Sequence, residues 1–289
     1  MKVLVTGATG FIGCHVVPAL LQRGHAVTAL GRDEAKARAL PWFARVRFVR
    51  RDIHDPAGVG ASLAGEADAM MHLAWPGLPN YKSASHLEET LPADYRFLQS
   101  AIESGLGQLL VTGTCLEYGM QQGRLSESIR AAPVIPYAAA KDALRKLLER
   151  LQEEERRFIL QWARLFYTYG PGQNPGSLLA QLDRAIEAGE LEFNMSGGEQ
   201  LRDYLPVEEV AARLVTLLEH PQCSGVVNIC SGDPVPVRTL VERHLASRKA
   251  AMRLNLGYYP YPDYEPMAFW GDPSKFFSIG GREHDEPGR

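Results

Sequence analysis

The strongest constraint on the fold is the way short apolar segments alternate with helical patterns in the first part of the chain. Five such segments have the length and residue types of strands: Lys2–Thr6, Ala26–Leu30, Val46–Val49, Ala69–Leu73 and Gln108–Thr112. Apolar residues at helical spacing fill Phe11–Arg23, Tyr95–Glu103 and Tyr137–Arg157. Because short strands that alternate with helices form parallel sheets covered on both faces, we predict an α/β fold with a doubly wound parallel sheet.

The alternation becomes less regular after Phe166–Pro175, a stretch rich in Gly, Pro and Tyr that predicts a loop. We therefore assign residues 1–165 to the domain that carries the sheet. Residues 166–280 are predicted to form mainly a smaller α/β lobe, from which the chain can return to the sheet. The last residues, 281–289, are polar and predict a loose tail.

A glycine-rich turn stands between the first strand and the first helix and contains Gly7, Gly10, Phe11, Ile12 and Gly13. Glycines at this place allow the backbone to turn sharply and to approach a pyrophosphate closely. The helix that follows offers free N–H groups and the positive end of its dipole to an anion. The turn therefore predicts a dinucleotide site, with a purely structural turn as the alternative.

The end of the second strand favours NADP over NAD. An acidic residue there would bind the adenosine ribose of NAD, but the strand ends in Gly31 and Arg32 follows. Arg32 can instead pair with a 2′-phosphate, while the nearby Asp33 keeps NAD as an alternative. Residues that follow the third and fourth strands are expected to complete the cofactor pocket: Asp52, Ile53, Leu73 and Ala74.

Tyr137 and Lys141 are four residues apart in a predicted helix, so their side chains share one face. A lysine ammonium beside a phenol lowers the pKa of the phenol from its usual value of about 10, which would suit Tyr137 to proton transfer near neutral pH. Thr114, at the end of the fifth strand, is expected to face the ligand crevice and to hydrogen-bond a substrate carbonyl together with Tyr137. A surface pair and a turn-capping threonine are the structural alternatives.

Together with further motifs, these features resemble the extended short-chain dehydrogenase/reductase family, and within it the sugar-nucleotide epimerase/dehydratase group. The further motifs are Glu117-Tyr118-Gly119, Tyr169-Gly170-Pro171-Gly172-Gln173 and Arg202-Asp203-Tyr204. The resemblance implies an NAD(P)-binding Rossmann domain and a smaller C-terminal lobe that binds a nucleoside diphosphate sugar. It also implies a homodimer, formed through the helices Tyr95–Glu103 and Tyr137–Arg157.

The resemblance implies roles for single residues as well. Thr114, Tyr137 and Lys141 would be the catalytic residues, and Tyr137 and Lys141 would also contact the cofactor. Thr114, Tyr167 and Arg202 would contact the substrate. Arg202 would bind the diphosphate, a task that suits its charge and bidentate geometry, with a salt bridge to an acid such as Glu208 as the alternative. Tyr167 stands where the family frequently has an asparagine, so the nucleotide and the sugar remain open.

A further departure from the family pattern narrows the reaction. The family's 4,6-dehydratases carry an Asp-Glu pair directly after the catalytic threonine, whereas Cys115 and Leu116 stand here and cannot move protons in that way. We interpret Cys115 as a packed thiol, with a catalytic acid as the alternative. We predict an NADP-dependent reductase or dehydrogenase that acts at carbon 4 of a nucleoside diphosphate 6-deoxyhexose. An NAD-dependent sugar-nucleotide 4-epimerase and a reductase of a non-nucleotide carbonyl are the alternatives.

Composition bears mainly on partners and location. The net charge of -3 and the isoelectric point of about 6.3 provide no basic field for nucleic acid or an anionic membrane. No apolar run has the length of a spanning helix, and the four cysteines lack the spacing of a zinc site. We predict a cytoplasmic protein with reduced thiols and without a metal, nucleic-acid or membrane partner.

Overall fold

The computed structural model describes residues 1–55, 63–155 and 157–280, so the predicted tail at 281–289 lies outside the described residues. The strands are β1 (Lys2–Thr6), β2 (Ala26–Gly31), β3 (Arg47–Arg50), β4 (Ala69–His72), β5 (Gln108–Thr114), β6 (Gly123–Leu125), β7 (Ile159–Leu165), β8 (Tyr167–Tyr169), β9 (Glu192–Asn194), β10 (Leu201–Pro206), β11 (Gly225–Ile229), β12 (Pro234–Pro236), β13 (Arg253–Asn255) and β14 (Phe269–Gly271). The helices are α1 (Gly13–Gln22), α2 (Glu34–Arg38), α3 (Leu91–Glu103), α4 (Pro136–Glu155), α5 (Leu178–Glu187), α6 (Val207–Glu219), α7 (Val237–Ser247) and α8 (Ser274–Phe277).

Seven strands form one parallel sheet in the order β11-β7-β5-β4-β1-β2-β3. From β1 the chain builds outward through β2 and β3, and then crosses back to β4 and continues in the other direction. The strand order therefore reverses between β1 and β4, which is where ligands bind in open α/β sheets. The predicted doubly wound parallel sheet is confirmed.

Both faces of the sheet are covered by helices because the central strands are apolar on both sides. In β1, Val3 and Val5 pack on the side of α1 and α6, while Leu4 packs on the side of α3 and α4. Leu144 and Leu148 of α4 are four residues apart and join this second core. The packing of α4 fixes the start of that helix, and with it Tyr137, against the sheet.

The chain after residue 165 forms a smaller lobe and also returns to the sheet. The lobe contains the three-stranded sheet β12-β10-β8, and its core joins α5, β9 and α7 through residues such as Leu182, Phe193 and Val241. Between these lobe elements, α6 packs beside α1, and β11 pairs in parallel with β7. Within the described ranges, no helix combines the length and the apolar character needed to cross a membrane.

Candidate active site

The glycine turn is built so closely that side chains would disrupt it. Gly7 has φ +69°, and a Cβ there would lie 2.8 Å from the backbone nitrogen of Ala74. A Cβ at Gly13 would overlap the carbonyl oxygen of Gly7. No side chain caps the N-terminus of α1 at Ile12. The turn therefore presents bare backbone and a helix N-terminus, which together suit a pyrophosphate.

A cavity of about 420 Å³ opens beside this turn. The structure brings the predicted cofactor residues other than Tyr137 and Lys141 together in its wall: Gly7, Gly10, Phe11, Ile12, Gly13, Arg32, Asp52, Ile53, Leu73 and Ala74. They come from the ends of β1, β2, β3 and β4, at the place where the strand order reverses. We call this the first cavity. Its glycine wall fits the pyrophosphate of a dinucleotide.

The end of the first cavity beside β2 and β3 is rich in basic side chains. Arg32 lies there with its Nη1 3.9 Å from Asp52 Oδ2, and Lys36 and Arg51 also line the wall. Asp33 does not line the cavity wall, because its Oδ1 accepts a hydrogen bond of 2.9 Å from the backbone N–H of Lys36 and caps α2. Sequence reasoning missed Lys36 and Arg51, although both closely follow strands that the sequence predicts.

A buried carboxylate links two histidines at the first cavity. Asp94 Oδ1 lies 2.6 Å from Nε2 of His54, a cavity wall residue, and Asp94 Oδ2 lies 3.4 Å from Nε2 of His72. His72 Nδ1 in turn lies 3.0 Å from Thr6 Oγ1. Burial raises the pKa of Asp94, but the interaction with His72 and the hydrogen bond from His54 outweigh it and lower the pKa to about 2. The sequence gives no signal for this network, because its members are far apart in the chain.

The ring of Tyr137 is enclosed by aromatic side chains. Its ring centroid lies 5.4 Å from that of His86, 5.5 Å from that of Tyr81 and 6.0 Å from that of Trp75. Burial in this setting raises the pKa of Tyr137, with a hydrogen bond to Thr114 opposing the rise. The predicted lowering of the phenol pKa is therefore wrong for the protein as it stands, since desolvation dominates.

Lys141 contacts a residue in the wall of the first cavity. Its Nζ donates a hydrogen bond of 2.8 Å to the carbonyl oxygen of Thr112 and sits 4.0 Å from the ring centroid of Trp75. Burial lowers the pKa of Lys141 to about 8, although the charges of Asp94 and Glu117 oppose the shift. Trp75 lines the first cavity and contacts both Lys141 and Tyr137, so it connects the cavity with the predicted catalytic residues. Sequence reasoning missed this tryptophan.

Thr114 is held by a buried acid. The backbone N–H of Thr114 donates to Oε1 of Glu117 at 2.8 Å, and the Thr114 hydroxyl oxygen accepts from the backbone of Leu116 at 3.3 Å. Nε of Arg164 donates to the other carboxylate oxygen of Glu117 at 2.8 Å. Thr114 therefore caps a turn, as the structural alternative states, and its side chain also interacts with that of Tyr137.

A second cavity, of about 270 Å³, lies in the lobe. Tyr167 and Arg202 line it, as the substrate prediction requires, and so does Glu265. Arg202 Nη2 lies 3.0 Å from Glu265 Oε2, and the guanidinium stacks 4.6 Å from the ring centroid of Phe269. The acid that pairs with Arg202 is thus Glu265 and not Glu208, which lies 3.8 Å from His15 instead.

Cys115 lies in a buried apolar cluster with Phe166 and Phe269. Burial raises the pKa of its thiol, so the thiol stays protonated and acts as packing. In the part of the chain that the structure describes, no three or more His, Cys, Asp or Glu side chains are grouped so that they could hold a metal ion.

The family follows from the sequence together with this geometry. A family model described as "NAD dependent epimerase/dehydratase family" matches residues 3–230. This chain belongs to that family. Membership makes it an enzyme with an NAD(P)-binding Rossmann fold, as the sequence predicts.

Individual relatives match over most of their length. The dTDP-6-deoxy-L-talose 4-dehydrogenase (NAD(+)) of Aggregatibacter actinomycetemcomitans is 28% identical over 94% of this chain and 99% of its own. The dTDP-6-deoxy-L-talose 4-dehydrogenase (NAD(P)(+)) of Kitasatospora kifunensis is 31% identical over 91% of this chain and 83% of its own. A solved structure described as MoeE5 in complex with UDP-glucose and NAD has a TM-score of 0.82 and 27% identity, and covers 99% of this chain and 95% of its own.

Proposed function

We propose that this enzyme is an NADP-dependent reductase or dehydrogenase that acts at carbon 4 of a nucleoside diphosphate 6-deoxyhexose. The observation that carries the proposal is the position of Trp75, which forms part of the first cavity and contacts both Tyr137 and Lys141. This contact supports a position of the proposed catalytic residues beside the nicotinamide end of a bound dinucleotide. The two relatives named as 4-dehydrogenases of a dTDP-6-deoxyhexose support the choice of carbon and sugar class.

The proposed proton transfer uses Tyr137 as the acid. A bound dinucleotide would supply or accept the hydride at carbon 4 of the sugar. The raised pKa keeps the Tyr137 phenol protonated near neutral pH, which is the form that carbonyl reduction requires. Thr114 would hydrogen-bond the same carbonyl oxygen, and the nearby charge of Lys141 would stabilise the phenolate left after proton transfer.

The preference for NADP rests on the basic end of the first cavity. Arg32, Lys36 and Arg51 line that end and can pair with a 2′-phosphate. Asp33, the acid that would favour NAD, is already engaged as the N-cap of α2. Both observations favour NADP as the working cofactor.

The first test follows the absorbance of reduced nicotinamide with NADPH and with NADH, in the presence of a panel of 4-keto-6-deoxy sugar nucleotides. We expect substrate-dependent oxidation that is faster with NADPH. The variant Tyr137→Phe should lower kcat by about a thousandfold, because it removes only the hydroxyl group that is proposed to donate the proton. Sugar-nucleotide isomerisation without net oxidation would indicate the 4-epimerase instead. An Arg202→Ala protein with unchanged substrate affinity would favour a non-nucleotide carbonyl.

The homodimer and the cytoplasmic location are part of the same proposal. Helices α3 and α4 pack together on one face of the sheet, and Leu147 of α4 is exposed. An exposed leucine on this helix pair suits a contact between two copies of the chain. Light scattering on the purified protein should give twice the mass of one chain.

A further inference from the structure

The segment that follows β4 packs directly on the start of α4, where Tyr137 lies. It contributes the rings of Trp75, Tyr81 and His86 that surround the Tyr137 ring. The backbone N–H of Tyr137 also donates a hydrogen bond of 3.1 Å to the carbonyl oxygen of Tyr81. His86 is fully buried in this arrangement, so its ring nitrogens must find their partners inside the protein.

His86 has a hydrogen-bond partner at each ring nitrogen. Its Nδ1 accepts from the indole N–H of Trp75 at 3.2 Å, and its Nε2 lies 2.9 Å from the carbonyl oxygen of Asn80. An indole N–H only donates and a carbonyl oxygen only accepts, so His86 carries its proton on Nε2 and is neutral. Gly77, with φ +87°, folds so closely over this ring that a Cβ there would lie 3.0 Å from Cε1 of His86. His86 is therefore held in place and in turn fixes the indole of Trp75.

The indole of Trp75 contacts the buried ammonium group of Lys141. Nζ of Lys141 lies 4.0 Å from the Trp75 ring centroid, which is a favourable cation–π distance, and Lys141 is only 1% exposed. The acids whose charges act on Lys141 are Asp94 and Glu117. Their carboxylates already pair with histidines and with a buried arginine, respectively. The indole therefore supplies a direct contact that favours the charged form of a lysine that burial disfavours.

We propose that Trp75 and His86 are positioning residues, in which His86 fixes the Trp75 indole and the indole keeps the ammonium group of Lys141 charged and in place. The inference rests on the proposed function, since the charge of Lys141 is there to stabilise the phenolate that Tyr137 leaves after proton transfer. Burial lowers the pKa of Lys141 to about 8, so a modest loss of stabilisation would leave part of the lysine uncharged near neutral pH.

The first test measures the charge of Lys141 without cofactor or substrate. In protein that contains carbon-13 lysine, the chemical shift of the ε-carbon over a pH series gives the pKa of each lysine, and the signal that Lys141→Arg removes is that of Lys141. In Trp75→Leu the pKa of Lys141 should fall from about 8 to about 7, because the cation–π contact is lost. Trp42→Leu is the control and should leave this pKa unchanged, since Trp42 is a buried tryptophan in the core on the opposite face of the sheet.

Variants of His86 test the hydrogen bond to the indole. His86→Leu removes the acceptor and should lower the pKa of Lys141 in the same direction as Trp75→Leu. His86→Asn places an acceptor oxygen close to the position of Nδ1 and should keep the wild-type pKa, which separates the hydrogen bond from simple packing. Thermal melting of each variant identifies any that fail to fold.

The second test follows the reaction with NADPH and a 4-keto-6-deoxy sugar nucleotide. Rising pH removes the proton of Lys141, so the rate should fall on the alkaline side of the pH profile. In Trp75→Leu this fall should begin about one pH unit lower than in the wild-type protein. The same shift should appear in kcat, with a smaller change in KM for the sugar nucleotide.

Three results would contradict the inference. An unchanged pKa of Lys141 in Trp75→Leu would show that the indole does not maintain its charge. An equal fall in Trp42→Leu would assign the effect to looser packing, and an equal fall in His86→Asn and His86→Leu would exclude the hydrogen bond. If the pKa falls as expected but the wild-type protein reduces no sugar nucleotide, the contact is supported and the proposed function has failed.

Discussion

The two cavities of this enzyme are assembled in different ways. The first is built from segments that directly follow strands of one parallel sheet, and its wall contains the glycine turn Gly7–Gly13. The second is built in the lobe from residues far apart in the chain, such as Tyr167, Arg202 and Glu265. The first cavity is therefore encoded by local sequence next to strands, whereas the second depends on how separate segments pack together.

This difference explains how the two cavities can diverge in function. The glycine turn has little freedom to change, since a Cβ at Gly7 would meet the backbone of Ala74 and a Cβ at Gly13 would meet the backbone of Gly7. The wall of the second cavity contains single side chains such as Tyr167 and Glu265, which can be exchanged without altering a strand. The substrate pocket can therefore change while the cofactor site stays the same.

The largest expected effect tests the rigidity of the first cavity. In Gly13→Ala the added Cβ meets backbone atoms of Gly7 and Ala8, so the turn must move away from its pyrophosphate-binding shape. We expect the dissociation constant for NADP to rise by more than about a hundredfold, measured by fluorescence titration. Gly107→Ala is the matched control, because a Cβ at Gly107 meets no atom within 4 Å. If Gly13→Ala and Gly107→Ala raise the dissociation constant for NADP equally, the shape of the turn does not determine NADP binding.

The next effect tests whether the two cavities act separately. Arg202→Ala should weaken binding of the nucleotide sugar by about tenfold or more, because the diphosphate loses its charged partner. Affinity for NADP should remain unchanged, since Arg202 lies in the lobe and not in the first cavity. Calorimetry with each ligand measures both quantities. A parallel loss of NADP affinity would indicate that the two cavities are coupled.

The same contrast governs how much could be predicted from the sequence. The sheet and the glycine turn were predictable because apolar periodicity and glycine spacing are local properties, and Arg32 was predictable because it directly follows a strand. Glu265 was not, since its partner Arg202 is 63 residues away and no local pattern joins them. The pKa of Tyr137 was predicted in the wrong direction, because the spacing to Lys141 is visible in the sequence whereas the enclosing aromatic rings are not.

The third prediction tests an exception to the difference between the two cavities. One part of the first cavity also depends on residues that are far apart in the chain. Asp94 holds His54 and His72, and its pKa is lowered from 3.8 to about 2. A carboxyl with a lower pKa in the folded state adds stability above its unfolded pKa, and that stability is lost as the pH falls towards 2. The shift corresponds to about 2 kcal/mol.

Asp94→Asn should therefore lower the free energy of unfolding by about 2 kcal/mol at neutral pH. This decrease should become smaller as the pH falls from about 4 towards 2. Urea denaturation at a series of pH values measures this. Asp263→Asn is the control, because the exposed pair of Asp263 with Lys82 is screened by water and should change stability little. A loss that is independent of pH would assign the effect of Asp94 to packing alone.

The smallest expected effect concerns the choice between NADP and NAD. Arg32 is exposed and faces Asp52, and Lys36 and Arg51 line the same end of the first cavity, so no single side chain carries the whole preference. Arg32→Ala should reduce the ratio of kcat/KM for NADPH over NADH by about tenfold, mainly through KM for NADPH. Arg38→Ala removes the same charge from α2 at a position outside the cavity wall and should leave the ratio unchanged. If Arg32→Ala and Arg38→Ala lower the ratio equally, the basic side chains act through the electrostatic potential of the whole surface. The first cavity then selects its cofactor by net charge and not by a single residue that follows a strand.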